Sequence, residues 1–203
     1  MVVVVDYGVG NIGSILNMLK KIGVEAVGAT TASGIASADK LILPGVGSFD
    51  RAMQKLEESG MLPALEKRVT VDKTPSLGIC LGMQILAHAS EEGSKAGLGW
   101  VNARVVRFSQ EKAVGKIRIP HMGWNEVRIA RSHSLFSGLE EYAKFYFVHS
   151  YHVECDAEDV LSTTTYGYEF VSGIGKGNIF GVQFHPEKSH KYGFRLLKNF
   201  AEL

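Results

Sequence analysis

The most constraining feature of the sequence is a cysteine that stands between two glycines at the end of a short apolar run. Residues 76–79 are typical of a buried strand, and Cys80 follows them directly. After Cys80, apolar residues recur at helical spacing, which predicts a helix from Leu81 to His88. The sequence therefore predicts a sharp reversal from strand to helix, centred on Cys80.

This reversal has the form of a nucleophile elbow. Glycine suits positions 78 and 82 because a side chain at either one would collide with the turn. The thiol then projects above the sheet at the start of a helix, where the helix dipole and free N–H groups favour the thiolate. Cys80 is therefore a candidate nucleophile, and a buried structural cysteine is the alternative interpretation.

Size and charge limit the classes of protein to consider. The chain has 203 residues, 45% of them hydrophobic, and a formal net charge of +1. This length suits one domain over residues 1–203 with a large core. A charge so close to zero gives no reason to expect a nucleic acid or an anionic membrane as a partner.

The cysteines and the N-terminus bear on cofactors and location. Cys80 and Cys155 are the only cysteines, and they form neither a disulfide framework nor a zinc motif. His149 and His152 share no ligand spacing with them, so we expect no metal and no other cofactor. The apolar run at Met1–Val5 is too short for a signal peptide or a membrane span, so we expect a cytoplasmic protein.

The arrangement of predicted elements indicates the fold class. The first half alternates strands and helices, beginning with the β-branched run 2–5, which is typical of a central parallel strand. The second half is rich in strand-like segments until a final helix over 192–203. We therefore predict a three-layer α/β fold with a mostly parallel central sheet, flanking helices and added antiparallel strands. The remaining predicted strands are 24–27, 41–43, 103–108, 116–119, 125–129, 145–148, 160–165, 170–174 and 179–182, and the remaining helices are 12–22, one capped by Ser48, and 62–69.

Two glycine-rich turns lie in the first half. Gly8, Gly10 and Gly13 match the dinucleotide fingerprint, but the acidic residue expected at the end of the second strand is missing. The match is thus either a nucleotide site or a tightly packed turn. Pro44–Gly47 follows the third predicted strand, and its backbone N–H groups could form an oxyanion hole or a phosphate cradle.

A second chemical signal lies about a hundred residues after the elbow. An apolar strand ends at His185, and Glu187 follows two residues later, with Pro186 fixing the backbone between them. Histidine next to a carboxylate is the usual combination of a base and the group that orients it. We interpret His185 as the base for Cys80 and Glu187 as its orienting partner.

The three segments 44–47, 78–84 and 185–187, in this order, resemble the class I, triad-type glutamine amidotransferases. The resemblance spans essentially the whole chain. Residues 6–11, 120–125, 147–151 and 185–189 are similar to a branch of this family that provides glutaminase subunits for histidine biosynthesis. The dinucleotide-like glycines fall inside the N-terminal motif of that branch.

The resemblance implies an activity and a set of roles. The expected reaction is hydrolysis of L-glutamine to glutamate and ammonia through a cysteinyl thioester, with Cys80, His185 and Glu187 as the catalytic triad. Backbone groups of Leu81 and of the loop formed by Gly45, Val46 and Gly47 are expected to stabilise the oxyanion. The residues expected to hold glutamine are Gln84, Val148, His149, Ser150 and Tyr151.

The resemblance also implies a partner. A cyclase subunit with a (β/α)8 barrel is expected to form a heterodimer with this chain and to receive the ammonia. Asn11, Trp124 and Lys188 are the interface candidates. Two alternatives stay open: a glutaminase of the same fold that serves pyridoxal phosphate or anthranilate synthesis, and a non-catalytic module, either a nucleotide binder that uses Gly8, Gly10 and Gly13 or a regulatory scaffold.

Overall fold

Thirteen strands and six α-helices make up the computed structural model, which describes residues 1–203. The strands are β1 (Val2–Val5), β2 (Ala26–Ala29), β3 (Lys40–Gly45), β4 (Ser76–Cys80), β5 (Ala89–Ser90), β6 (Ala103–Arg107), β7 (His121–Glu126), β8 (Arg128–Ile129), β9 (Lys144–His149), β10 (Tyr151–Cys155), β11 (Val160–Tyr166), β12 (Tyr168–Lys176) and β13 (Ile179–Val182). The helices are α1 (Ile12–Lys21), α2 (Ala32–Ala36), α3 (Phe49–Glu58), α4 (Leu62–Glu66), α5 (Leu81–Gln84) and α6 (His190–Glu202). None of the helices has both the length and the apolar character that a membrane-spanning segment requires.

A parallel sheet in the order β2-β1-β3-β4-β13 forms the centre of the fold. Strands β1, β4 and β13 are buried along their whole length, without alternation. Such strands need cover on both faces. One face packs against α2, α3 and α4, and the other packs against α1 and α6. The predicted three-layer α/β fold is therefore confirmed.

Antiparallel strands extend this sheet on one side. Strand β12 pairs antiparallel with β13, and the sheet continues through β10 and β6 to β5. Strands β11 and β8 branch off from β12. Strands β7 and β9 form a separate two-stranded sheet, which contacts the segment after β13 through a bridge between Tyr146 and His185.

Several local predictions from the sequence were wrong. The helix predicted from Leu81 to His88 ends at Gln84, because the carbonyl groups of residues 85–87 accept hydrogen bonds from the segment 97–101 instead. Residues 116–119 form no strand, since side chains of Gln110 and Tyr166 take up the N–H groups of Ile117 and Arg118. The second strand is shifted by two residues to Ala26–Ala29, and the strand Tyr151–Cys155 and the short helix Ala32–Ala36 were not predicted.

Candidate active site

The turn at Cys80 has a strained backbone. Cys80 ends β4 with φ 55° and ψ −111°, a region that non-glycine residues rarely occupy. A Cβ atom at Gly82 would lie 1.8 Å from the carbonyl oxygen of Leu43, and one at Gly78 would lie 2.5 Å from that of Gly82. Both positions therefore require glycine, and the side chain of Cys80, which is 7% exposed, projects from the carboxyl edge of the sheet.

His185 and Glu187 form a buried hydrogen-bonded pair. Nδ1 of His185 lies 2.8 Å from Oε1 of Glu187, and both side chains are almost completely shielded from solvent. The carboxylate can only accept, so Nδ1 carries a proton. Nε2 of His185 is buried and makes no hydrogen bond of standard geometry, yet it is close enough to Cys80 for the sulfur to affect the pKa of His185.

The proton of His185 is held tightly. Burial lowers the pKa of this imidazole, but the neighbouring sulfur of Cys80 and the hydrogen-bonded carboxylate of Glu187 outweigh burial and raise the pKa to about 10. An opposite charge nearby favours the charged form of a base. We therefore expect His185 to be an imidazolium at neutral pH, paired with the sulfur on one side and a carboxylate on the other.

The segment that carries His185 is fixed to strand β9. The amide N–H of His185 donates to the carbonyl oxygen of Tyr146 at 2.9 Å. The hydroxyl of Ser189 donates to the carbonyl oxygen of His185 at 2.6 Å and accepts from the N–H of Tyr146 at 3.0 Å. Ser189 thus closes the turn after β13 and sets the direction of the imidazole.

The glycine-rich loop after β3 lies directly beside the elbow. Gly45 is in register with Cys80, and a Cβ atom on Gly45 would lie 2.7 Å from the backbone nitrogen of Gly82. The buried hydroxyl of Tyr7 donates to the carbonyl oxygen of Pro44 at 2.7 Å. The N-terminal motif at residues 6–11 therefore holds the loop against the nucleophile.

Most of the residues predicted from the sequence line one cavity of about 340 Å³. This volume is within the usual range for a small-molecule site. Gly45 and Glu187 do not line it, because Gly45 lies in the sheet and Glu187 lies behind His185. The predicted residues in the wall are Val46, Gly47, Cys80, Leu81, Gln84, Val148, His149, Ser150, Tyr151 and His185, and two that were not predicted are Glu92 and Pro120.

Hydrogen bonds between side chains organise the floor of this cavity. Nε2 of Gln84 donates to the carbonyl oxygen of Tyr151 and to Oε1 of Gln183, both at 3.0 Å. Nε2 of Gln183 lies 3.6 Å from Sγ of Cys80. Gln183 is fully buried, and it was not predicted as a site residue although it stands two positions before His185. Gln84 thus connects the strand that lines the cavity with the surroundings of the nucleophile.

Glu92 brings a carboxylate into the cavity. Its Oε2 accepts a hydrogen bond from the N–H of Phe49 at 2.8 Å, at the start of α3. Ser48, predicted to cap this helix, makes no side-chain capping bond. Asp50 holds the loop of Glu92 by accepting from the N–H groups of Ser94 and Lys95. Glu92 lies 43 positions from Phe49 in the sequence and belongs to no recognisable motif, so no local pattern pointed to it.

A larger cavity of about 740 Å³ lies elsewhere, near Arg128, His152 and Tyr168. None of the triad candidates lines it. Size alone therefore does not locate the chemistry, and we assign the reaction to the smaller cavity, where Cys80 and His185 meet.

The interface candidates Asn11, Trp124 and Lys188 differ in their exposure and in the residues that they contact. Trp124 is 48% exposed and stacks on His190 with ring centroids 5.5 Å apart. The ammonium group of Lys188 lies 5.5 Å from the ring centroid of Tyr146. Asn11 is half-buried at the start of α1, a helix that packs against residues 186–188.

The fold and the site define a cysteine hydrolase with a Cys–His–Glu arrangement at the carboxyl edge of a parallel sheet. The family model for class-I glutamine amidotransferases matches residues 3–202. A solved structure described as a glutamine amidotransferase has 22% identity, a TM-score of 0.76 and full coverage of both chains. The Thermotoga maritima PurLQS structure has 18% identity and a TM-score of 0.71, with 99% of this chain and 97% of that chain covered. These two likenesses concern the fold.

Curated relatives are much more similar in sequence. "Imidazole glycerol phosphate synthase subunit HisH 2" of Methanococcus maripaludis is 52% identical, with 100% of this chain and 99% of the relative covered. The protein of the same name from Pseudomonas aeruginosa is 48% identical, with both chains fully covered. The chain therefore belongs to the class-I glutamine amidotransferases and, within them, to the family of the HisH subunits, as the sequence resemblance predicted.

Replacing Glu187 with Gln tests the charge interaction between Glu187 and His185. The variant keeps the shape of the side chain but removes the charge that orients and stabilises the imidazolium. We expect kcat to fall by about 100- to 10,000-fold. The pKa of His185 is raised above its unfolded value, so the stabilisation from Glu187 is fully present below about pH 6.5 and disappears as the pH rises through about 10.

Urea unfolding of wild type and variant across this pH range measures that effect. The difference in the free energy of unfolding should be largest at pH 6 and shrink towards pH 10. A difference that stays constant over this range would show that Glu187 does not act through the charge of His185.

Proposed function

We propose that this chain is the glutaminase subunit of an imidazole glycerol phosphate synthase, acting as a single amidotransferase domain over residues 1–203. The observation that carries the proposal is the strained, buried Cys80, which lines the same cavity as His185, the histidine paired with the buried Glu187. Full-length relatives that carry this name support the choice of synthase.

The mechanism starts with attack of the Cys80 sulfur on the side-chain carboxamide of glutamine. The developing oxyanion receives hydrogen bonds from the N–H of Leu81 and from the loop at Gly45–Gly47, and each such donor contributes about 2.7–4 kcal/mol to lowering the barrier. His185 then protonates the departing ammonia. Water activated by the now neutral His185 hydrolyses the thioester and releases glutamate.

Glutamine itself offers an ammonium and a carboxylate group for recognition. Glu92 is the acidic residue among those that line the cavity besides the triad, so we assign the ammonium group to it. Gln84 and the segment Val148–Tyr151 also line the cavity, and we assign the rest of the amino-acid moiety to them. The helix α3 N-terminus keeps Glu92 in place through the N–H of Phe49.

The ammonia needs a protected path, because ammonia in neutral water is protonated and loses its nucleophilicity. We propose that a (β/α)8-barrel cyclase subunit docks over the cavity and uses the ammonia to form imidazole glycerol phosphate and an aminoimidazole carboxamide ribotide. Trp124 is exposed and stacks on His190, and the ring of Tyr146 lies against both Trp124 and the ammonium group of Lys188. An exposed aromatic residue close to a cation suits an interface anchor, and Asn11 lies at the start of helix α1, which packs against residues 186–188.

Replacing Trp124 with Ala is expected to weaken association with the cyclase subunit by about 2 kcal/mol, or roughly 30-fold in Kd. Calorimetric titration of the two subunits measures this change. Val71→Ala is a suitable control because Val71 is 69% exposed but lies near the start of β4, at the opposite edge of the sheet. Equal affinity of the Trp124 variant and wild type would remove Trp124 from the proposed interface.

Glutamate release from glutamine tests the proposed function. The chain is assayed alone, then with a cyclase subunit and the nucleotide ligand of that subunit. Activity that requires the cyclase supports the proposal. Activity of equal size without it would keep the glutaminase and assign it to another synthase, and a folded chain inactive in both settings would favour a binding module.

A further inference from the structure

Two buried histidines form a chain of hydrogen bonds at the cavity wall: His149 belongs to the segment assigned above to glutamine binding, whereas His121 has no role in the reaction described so far. His121 and His149 are opposite each other on β7 and β9, and both are nearly inaccessible to solvent. Nδ1 of His121 lies 3.0 Å from Nε2 of His149. Nδ1 of His149 lies 2.7 Å from the carbonyl oxygen of Tyr151, which also accepts from Gln84. The sequence predicted a role in glutamine binding for His149 but did not predict its pairing with His121.

The donor and acceptor roles in this chain of hydrogen bonds follow from its end at Asn125. The amide nitrogen of Asn125 donates to the carbonyl oxygen of Thr165 at 2.9 Å, and its amide oxygen accepts from the N–H of Glu126 at 2.8 Å. A flipped amide would lose both bonds, so the nitrogen must also face Nε2 of His121, 3.2 Å away. This Nε2 therefore accepts, and Nδ1 of His121 is the protonated nitrogen that donates to His149.

The other end of the chain of hydrogen bonds, at the carbonyl oxygen of Tyr151, gives the same donor and acceptor roles independently. The carbonyl oxygen of Tyr151 can only accept, so Nδ1 of His149 carries a proton. With Nδ1 protonated in a neutral ring, Nε2 of His149 must accept from His121. Both rings are thus neutral Nδ1–H tautomers, and burial, which lowers the pKa of His149 and lowers that of His121 to about 4, keeps them neutral.

The packing around the two rings leaves them little freedom. His121 stacks on Tyr166 with centroids 4.1 Å apart and on Phe147 with centroids 4.8 Å apart. His149 packs on Phe108 at 5.1 Å. A ring held this way cannot turn to offer its other nitrogen, so the tautomers and the position of the Tyr151 carbonyl depend on each other.

We propose that His121 is a positioning residue for glutamine binding: it donates a hydrogen bond from Nδ1–H to Nε2 of His149, fixes the tautomer of His149, and so holds the carbonyl of Tyr151 and the side chain of Gln84 in the geometry of the glutamine cavity. The proposal rests on the assigned glutaminase function. It adds a residue that does not line the cavity but sets the position of two elements that do.

Three substitutions at one site separate this role from a purely structural one. In His121→Asn the amide nitrogen takes the place of Nδ1 and keeps the donor to His149. In His121→Gln the amide reaches the position of Nε2 and keeps a partner for Asn125, but the donor to His149 is lost. His121→Phe keeps only the stacking. Because the affected groups bind glutamine, we expect the KM for glutamine to rise about 10- to 100-fold in the Gln and Phe variants, with kcat changed much less. The Asn variant should recover most of the wild-type KM.

His152→Phe is the matched control. His152 is equally buried in the same aromatic group, 4.9 Å from Phe108, but its Nε2 pairs with the hydroxyl of Tyr168 instead of the chain. We expect this variant to lose stability without a change in KM. If all three His121 variants raise KM equally, or if KM follows thermal stability across the four variants, the positioning role is wrong.

Nitrogen-15 NMR of wild-type protein with labelled histidine tests the chain of hydrogen bonds without an activity assay. The resonances of His121 and His149, assigned by the variants, should each show a protonated Nδ1 and an unprotonated Nε2. A protonated Nε2 in either ring would overturn the proposal even if the protein hydrolyses glutamine. Conversely, inactivity of the wild-type protein with the cyclase would refute the proposed glutaminase function. The NMR spectra would still show the tautomers of both histidines.

Discussion

Gly82→Ala is expected to destabilise the chain by about 3–5 kcal/mol, a large part of the stability of a typical domain. The added Cβ atom would lie 1.8 Å from the carbonyl oxygen of Leu43 and within 3.3 Å of the backbone carbon of Pro44. Both neighbours are backbone atoms of β3, which cannot move aside without breaking the central sheet. Urea unfolding monitored by circular dichroism measures the loss.

Gly13→Ala provides the comparison. Gly13 lies in the first turn of α1, has an ordinary helical backbone, and has no atom within 4 Å of an added Cβ. Alanine there should raise the free energy of unfolding by about 0.4–1 kcal/mol. If Gly82→Ala unfolds at the same urea concentration as wild type, β3 and the turn at Cys80 are not in close contact. The account of a strained backbone at Cys80 would then be wrong as well.

Cys80→Ala should reduce glutamate release by at least about 10,000-fold, because the thioester cannot form without the sulfur. The residual rate would come only from binding and the oxyanion donors. The assay uses the complex with the cyclase subunit, in which we expect wild type to be most active. A folded Cys80→Ala variant with more than about 1% of wild-type activity would exclude covalent catalysis by Cys80.

The second thiol of the chain makes this test specific. Burial and the nearby carboxylates of Asp159 and Asp156 raise the pKa of Cys155 to about 12, so this residue stays an unreactive thiol at neutral pH. Cys155→Ala should retain full activity. Brief alkylation with iodoacetamide should modify Cys80 and not Cys155, and glutamine should slow that modification by occupying the cavity.

The sequence was most informative where the structure depends on neighbours along the chain. The reversal at Cys80 is set by an apolar strand and two glycines within five residues. The turn after β13 likewise brings together His185, Glu187 and Ser189 within five positions. The apolar runs of β1, β3 and β13 lack alternation because helices cover both faces of the sheet. Local patterns of this kind were sufficient to predict the fold class.

Sequence reasoning failed where distant residues compete for the same backbone groups. The helix after Cys80 stops at Gln84 because residues 97–101 bond to the carbonyl groups of the next turn. The start of α3 is capped by Glu92 rather than by the adjacent Ser48. The pair of His121 and His149 forms only when β7 and β9 are side by side. None of these partners is within range of a local pattern.

The central claim is that this chain makes ammonia at Cys80 and passes it to a cyclase. Glutamine labelled with nitrogen-15 in its side-chain amide tests this claim most directly. The complex of chain and cyclase is given labelled glutamine, the nucleotide substrate of the cyclase and an excess of unlabelled ammonium, and the imidazole product is analysed by mass spectrometry. We predict that nearly every product molecule carries the label, since ammonia made in a cavity that the docked cyclase covers would not mix with solvent. Product that carries mostly unlabelled nitrogen, or labelled product with Cys80→Ala, would contradict the account.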